Sequence, residues 1–214
     1  MTKKYVILNA AESISSKKGF FIVKLYSFIL WAFRTKFKDS PIIHIYDPNK
    51  VKFTTDEIIH IQNADKIIIV GHGQGFISTH VETSDKVTTS VAKISHMLSG
   101  AFTEITNKQI NISLCVCNSI NVAIALTGKL ASILNTQNSD KQLSIKVTGR
   151  NSIVVPCPFN GKKYNLSNDN CFPLSHQKGD YKSTFFTASG SNRVINRFPD
   201  ESEEGWPLSI FASD

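Results

Sequence analysis

KIIIVGHGQGF, residues 66–76, begins with four consecutive β-branched residues after Lys66 and then turns abruptly to glycine. A short, unbroken Ile/Val run bounded by glycine reads as a parallel strand buried on both faces, because neither face needs polar positions. Runs of the same kind recur at Lys4–Leu8, Pro41–Tyr46, Ile110–Val116, Leu143–Thr148 and Ile153–Pro156. Helical periodicity fills the gaps between them. Residues 84–98 start at a Ser84-Asp85 cap, place Val87, Val91, Ile94 and Leu98 on one face, and stop before Gly100. Residues 119–134 start at Ser119 as N-cap and repeat Val122, Leu126, Leu130 and Ile133. Strand–helix–strand alternation predicts an α/β fold with a mostly parallel central sheet flanked by helices.

After residue 150 the helical signals stop. Asn160-Gly161 marks a hairpin turn, and Thr184–Thr187 and Arg193–Arg197 read as further strands. The chain is therefore expected to be a single domain over 1–214, with a β-rich C-terminal extension at 150–200 and an acidic tail at 198–214. No internal repeat or linker divides it.

Of the 214 residues, 41% are hydrophobic, 19% are charged and 14 are Phe, a balance that excludes disordered and fibrous classes. The formal charge of +7 is unevenly spread. Residues 1–38 hold eight Lys/Arg against Glu12 alone, and the last 17 residues hold five acidic residues and no basic one. Between them, 141–197 is strongly basic, with Lys146, Arg150, Lys162, Lys163, Lys178, Lys182, Arg193 and Arg197 set against Asp169 and Asp180. Clusters of this kind suit a polyphosphate, a nucleic acid or an anionic lipid surface, and equally a plain solvated face. Helix-turn-helix, zinc and RNP signatures are missing, which disfavours nucleic acid.

Four cysteines, at 115, 117, 157 and 171, are too few for a disulfide framework and point to a reducing compartment. C-x-C at 115–117 has no second ligand pair, so no metal site is expected. No cleaved secretory signal is read at the N-terminus, which predicts a cytoplasmic protein or one delivered into a host cytosol. Residues 19–33, GFFIVKLYSFILWAF, are too short to span a bilayer, which needs about 20 residues. Lys17-Lys18 precede this run, and Arg34, Lys36 and Lys38 follow it. It reads as a buried helix or, through residues 17–38, as an interfacial helix on a membrane.

Two places carry the chemistry, both at the C-terminal ends of predicted parallel strands, where open α/β sheets hold their sites. Gly71-His72-Gly73 presents an imidazole on an open turn. The serine-hydrolase elbow G-x-S-x-G is excluded because Gly73 stands at the nucleophile position, and the glycine spacing does not complete a dinucleotide fingerprint. In NISLCVCNSIN, 111–121, the strand ends at Cys117 and a helix starts at Ser119. A thiol facing a helix N-terminus is favoured as thiolate, whereas Cys115 lies inside the strand, where a cysteine packs as a small apolar residue. Consecutive strands joined by one crossover are usually neighbours, so His72 and Cys117 would share one sheet edge as base and nucleophile.

Strand-His-Gly, a crossover, and strand-Cys, with His 45 residues before Cys, resemble the caspase/gingipain/clostripain superfamily of cysteine peptidases. IIIVGHGQG, ISLCVCNS and IKVTGRNSIVVPCPFNGKKY (145–164) most resemble the self-processing peptidase domains of multifunctional-autoprocessing RTX toxins and large clostridial glucosylating toxins. The similarity covers roughly residues 4–197. It implies a caspase-like sheet and a Cys-His dyad that cleaves peptide bonds, with Cys117 as nucleophile, His72 as general base or acid, and an oxyanion hole from the N–H groups of Gly73 and Cys117. It also implies activation by inositol hexakisphosphate bound to the basic residues of 141–197. Asn9 and Asp47 are the two candidates for the residue that orients His72. The alternative is a catalytically inactive caspase-like module that binds a membrane surface or a protein partner.

Overall fold

The computed structural model describes residues 4–10, 17–34, 41–47, 49–72, 77–78, 89–106, 108–137, 143–150, 153–156, 163–166, 182–188, 194–197 and 210–211. The first half of the chain runs β1 (Tyr5–Asn9), α1 (Lys17–Arg34), β2 (Ile42–His44), α2 (Thr55–Asn63), β3 (Lys66–Val70), β4 (Ile77–Ser78), β5 (Thr89–Ser90) and α3 (Val91–Phe102). The second half runs β6 (Lys108–Cys115), α4 (Ile120–Gln137), β7 (Leu143–Arg150), β8 (Ile153–Pro156), β9 (Lys163–Leu166), β10 (Lys182–Ala188), β11 (Val194–Arg197) and β12 (Ile210–Phe211).

An eight-stranded sheet in the order β2-β1-β3-β6-β7-β10-β11-β12 organises the molecule. Its first five strands are mutually parallel. β10, β11 and β12 then join antiparallel. The β-rich C-terminal region is thus largely a continuation of the main sheet rather than an appendage, and β12 lies within the acidic tail. β8 and β9 pair antiparallel, Ile153 with Leu166 through Pro156 with Lys163, on either side of the expected Asn160-Gly161 turn, which lies outside the described residues.

Why β3 is apolar at every position after Lys66 follows from what covers it. Ile67 and Ile69 enter a core shared with α2, α3 and α4, through Ile61, Leu98, Phe102, Leu126 and Leu130. Ile68 and Val70 enter a smaller cluster on the opposite face with Ile7, Cys115, Val154 and Leu30 of α1. Period-2 alternation therefore sends successive residues to two different cores.

The structure corrects one helix start and one capping role. α3 begins at Val91 with Ser90 as N-cap, its hydroxyl accepting the Lys93 N–H at 3.1 Å, and runs through Gly100 to Phe102. The expected Ser84-Asp85 cap lies outside the described residues. Ser119 does sit at the entrance of α4, its carbonyl accepting the Ala123 N–H at 2.9 Å. Its hydroxyl, however, accepts from the Arg150 backbone instead of capping the helix. Over residues 24–33, α1 is buried on one face and exposed on the other. Ser27, Ile29 and Leu30 are buried, while Leu25, Phe28 and Phe33 are exposed. Among the described residues no helix is long and apolar enough to cross a membrane.

Candidate active site

β3 and β6 are neighbours, and their register sets Val70 opposite Cys115. The Gly71 N–H continues the ladder to the Cys115 carbonyl at 3.3 Å. His72 and Cys117 each stand two residues beyond this matched pair. Both residues thus follow the C-terminal ends of adjacent strands, Cys117 in the turn after β6, which ends at Cys115 rather than at Cys117 as expected. His72 is exposed and Cys117 partly exposed, whereas Cys115 is buried in the cluster under α1. The inert packing expected of Cys115 agrees with its burial.

The Cys117 turn is held from three directions. Asn118 adopts φ 48°, the left-handed conformation that Asn tolerates better than most residues, and so turns the chain from β6 into α4. Ser119 then locks onto the end of β7. Its N–H donates to the Arg150 carbonyl at 2.7 Å, and its hydroxyl accepts the Arg150 N–H at 3.0 Å. From β8, the Val154 N–H donates a weak hydrogen bond to the Cys117 sulfur at 3.5 Å. Gly149 makes the close approach of β7 to Ser119 feasible, since a Cβ there would lie 2.7 Å from the Ser119 carbonyl oxygen and 2.9 Å from the Ala123 Cβ.

Two side chains border the thiols electrostatically. Tyr26 of α1 has its hydroxyl pushed up to about 12, chiefly by burial and then by Cys115 and Cys117, so it stays a neutral hydrogen-bond donor across the working pH range. Burial pushes the Arg150 guanidinium down and the neighbouring Cys115 pulls it back up; it remains cationic. Tyr26 was not foreseen, because an aromatic inside the apolar run 19–33 reads as core. Only the pairing of α1 with the sheet face carrying Cys115 reveals it.

The basic residues expected to hold a polyphosphate divide by register. Arg150 pairs with Lys182, and Arg197 pairs with Thr184 two residues further along β10, so these three backbone positions gather at the C-terminal end of β7. Lys146 pairs with Phe186, four residues back along β7 and about 13 Å away at 3.3 Å per residue. Arg150 is part of the structure around Cys117, which its place in a surface cluster did not foretell. Lys163 lies on β9 opposite Pro156. Lys162, Lys178, Arg193 and the oxyanion candidate Gly73 lie outside the described residues.

Asn9 and Asp47 also separate. Asn9 ends β1, is buried, pairs in register with Val70 and His44, and sets its amide 3.4 Å from His44 Nδ1. It therefore sits on the row that leads to His72. The Asp47 carboxylate accepts the Asn49 N–H at 2.9 Å, and its carbonyl accepts from the Lys93 ammonium. Asp47 organises the loop after β2. Among the described residues no group of three or more His, Cys, Asp or Glu could hold a metal ion.

Compared with known proteins, the chain matches no protein-family model and no curated protein.

Proposed function

We propose that the chain is a cysteine peptidase of caspase-like architecture, with Cys117 as nucleophile and His72 as general base and acid. One observation carries the reading. Val70 and Cys115 pair in register on neighbouring parallel strands, and His72 and the partly exposed Cys117 each follow two residues later at the C-terminal edge of the sheet. That edge is where α/β sheets gather catalytic groups.

In this reading His72 takes the Cys117 proton, and the thiolate attacks the carbonyl carbon of the scissile peptide bond. The negative charge on the former carbonyl oxygen is met by backbone N–H donors, those of Cys117 and Gly73. As the tetrahedral intermediate collapses, the C–N bond breaks and the imidazolium returns its proton to the leaving amine. His72 then activates a water that hydrolyses the thioester and restores the thiol. Locking the Cys117–Ser119 turn onto β7 lowers the cost of ordering the nucleophile. No metal or organic cofactor takes part.

The same resemblance supports inositol hexakisphosphate as an activator, a role for the enzyme as a bacterial effector or self-processing peptidase, and action in a cytosol. The residues for the activator are Arg150, Lys182 and Arg197 at the sheet end, with Lys146, Lys162, Lys163, Lys178 and Arg193 as the remaining candidates. A non-catalytic module is the second reading, favoured by the exposed apolar residues of α1. An electrophilic peptide probe separates the two. Rapid labelling of Cys117 that is lost in His72→Ala supports the peptidase, and a thiol no faster than free cysteine supports the module.

A further inference from the structure

We propose that α1 docks the molecule onto an anionic lipid bilayer surface. The inference is independent of the peptidase reading and rests on the outer face of that helix. Leu25, Phe28 and Ala32 follow one another at i, i+3 and i+7 and are exposed, with Phe33 beside them. Leu25 is 41% exposed, Phe28 55% and Phe33 47%, although the opposite face buries Ser27 and Leu30 against the sheet. The Phe28 and Trp31 rings, 5.8 Å apart, join the exposed ridge to the half-buried flank. A ridge of this kind on the outer face of a helix is suited to lie among lipid headgroups with its apolar side chains at the acyl boundary.

Charge identifies the occupant. From residue 13 to residue 38 the chain has six basic residues, Lys17, Lys18, Lys24, Arg34, Lys36 and Lys38, and no acidic one. Lys17 and Lys18 open the helix, and its first turn carries no acid. Cations at a helix N-terminus oppose the macrodipole, so helix stability does not account for them. Basic residues at both ends of an apolar ridge do match a negatively charged membrane surface. A second copy of the chain is a poor occupant, since a two-fold contact would bring this basic stretch against itself.

The test is flotation of the full chain with phosphatidylcholine vesicles containing about one-third phosphatidylserine, against pure phosphatidylcholine. Binding to the anionic vesicles alone is expected, weakening as salt is raised to about 0.5 M. Leu25→Glu/Phe28→Glu, with an unchanged melting temperature, should lower partitioning about tenfold or more. Lys17→Gln/Lys18→Gln changes only charge and should also weaken binding, which keeps the test decisive if the first variant fails to fold. Absence of wild-type flotation at low salt overturns the proposal, as does binding indifferent to the loss of Leu25 and Phe28. Self-association abolished by Leu25→Glu/Phe28→Glu, with no vesicle binding, overturns it in favour of a protein partner.

Discussion

A methyl group added at Gly149 would lie 2.7 Å from the Ser119 carbonyl oxygen, and neither the strand nor the start of α4 can yield easily. Gly149→Ala should cost about 1–3 kcal/mol in denaturant melts through overpacking. Because Ser119 is two residues from Cys117, the same change should slow labelling of the Cys117 thiol, and peptide turnover should fall in kcat more than it changes KM. Unaltered labelling in a destabilised protein would show that Gly149 only packs. Ser119→Ala leaves the Arg150 N–H without its hydroxyl acceptor and should cost about 1–3 kcal/mol, a loss that Ser119→Thr, which keeps the hydroxyl, recovers if the added methyl is accommodated. His44 gives a pH signature. Burial, then the Lys50 and Lys24 cations, hold its pKa below the ordinary 6.5, with Glu57 opposing them weakly. The unfolded chain then binds the proton more readily, so stability falls as pH drops through 6.5 and levels off below the native pKa. His44→Gln should flatten that part of the profile in urea melts, and an unchanged slope would remove His44 as its source.

Elements were legible where one physical signal dominated. β3 and β8 match their expected bounds, Lys66–Val70 and Ile153–Pro156, but only β3 is the doubly buried parallel strand expected, since β8 pairs antiparallel with β9 outside the main sheet and buries alternate residues. The start of α3 was not legible. Ser84-Asp85 and Ser90 both qualify as caps, and Val87 keeps the apolar spacing of Val91 and Leu98, so periodicity alone cannot choose between them. In the fold the Ser90 hydroxyl reaches the Lys93 N–H, and β5 occupies the residues just before the helix. Around the candidate site, the placement of His72 and Cys117 just beyond the ends of two neighbouring strands and the burial of Cys115 could be read from the sequence. Tyr26, the Ser119–Arg150 lock and Gly149 could not, because each depends on which strand lies beside which. Helix α2 supplies a prediction at this scale. Thr54 and Glu57 form a reciprocal capping box, and Glu57 also pairs with Lys50 at 2.5 Å. Thr54→Ala should therefore cost about 1 kcal/mol in chemical denaturation, with Thr54→Ser close to wild type.

Across the whole molecule, one parallel half-sheet carries the candidate dyad, and the antiparallel half adds the basic residues Lys182 on β10 and Arg197 on β11. Their junction is β7, whose last residue, Arg150, contacts the Cys117 turn and pairs with Lys182. A polyphosphate bound at the β7–β10 end would therefore be coupled mechanically to the nucleophile. Inositol hexakisphosphate should raise the melting temperature by binding the folded state and should quicken Cys117 labelling. No shift at low salt with millimolar ligand would remove the activator and leave the dyad standing. The dyad itself is tested most directly by peptide turnover and adduct mapping on purified protein, with an electrophilic peptide and mass spectrometry of the wild type and three single variants. The account predicts an adduct on Cys117, no cleavage by Cys117→Ala or His72→Ala, and most activity retained by Cys115→Ala with a modest loss of stability. Turnover that survives Cys117→Ala, or an adduct on Cys115 whose replacement alone abolishes cleavage in a folded protein, would contradict it.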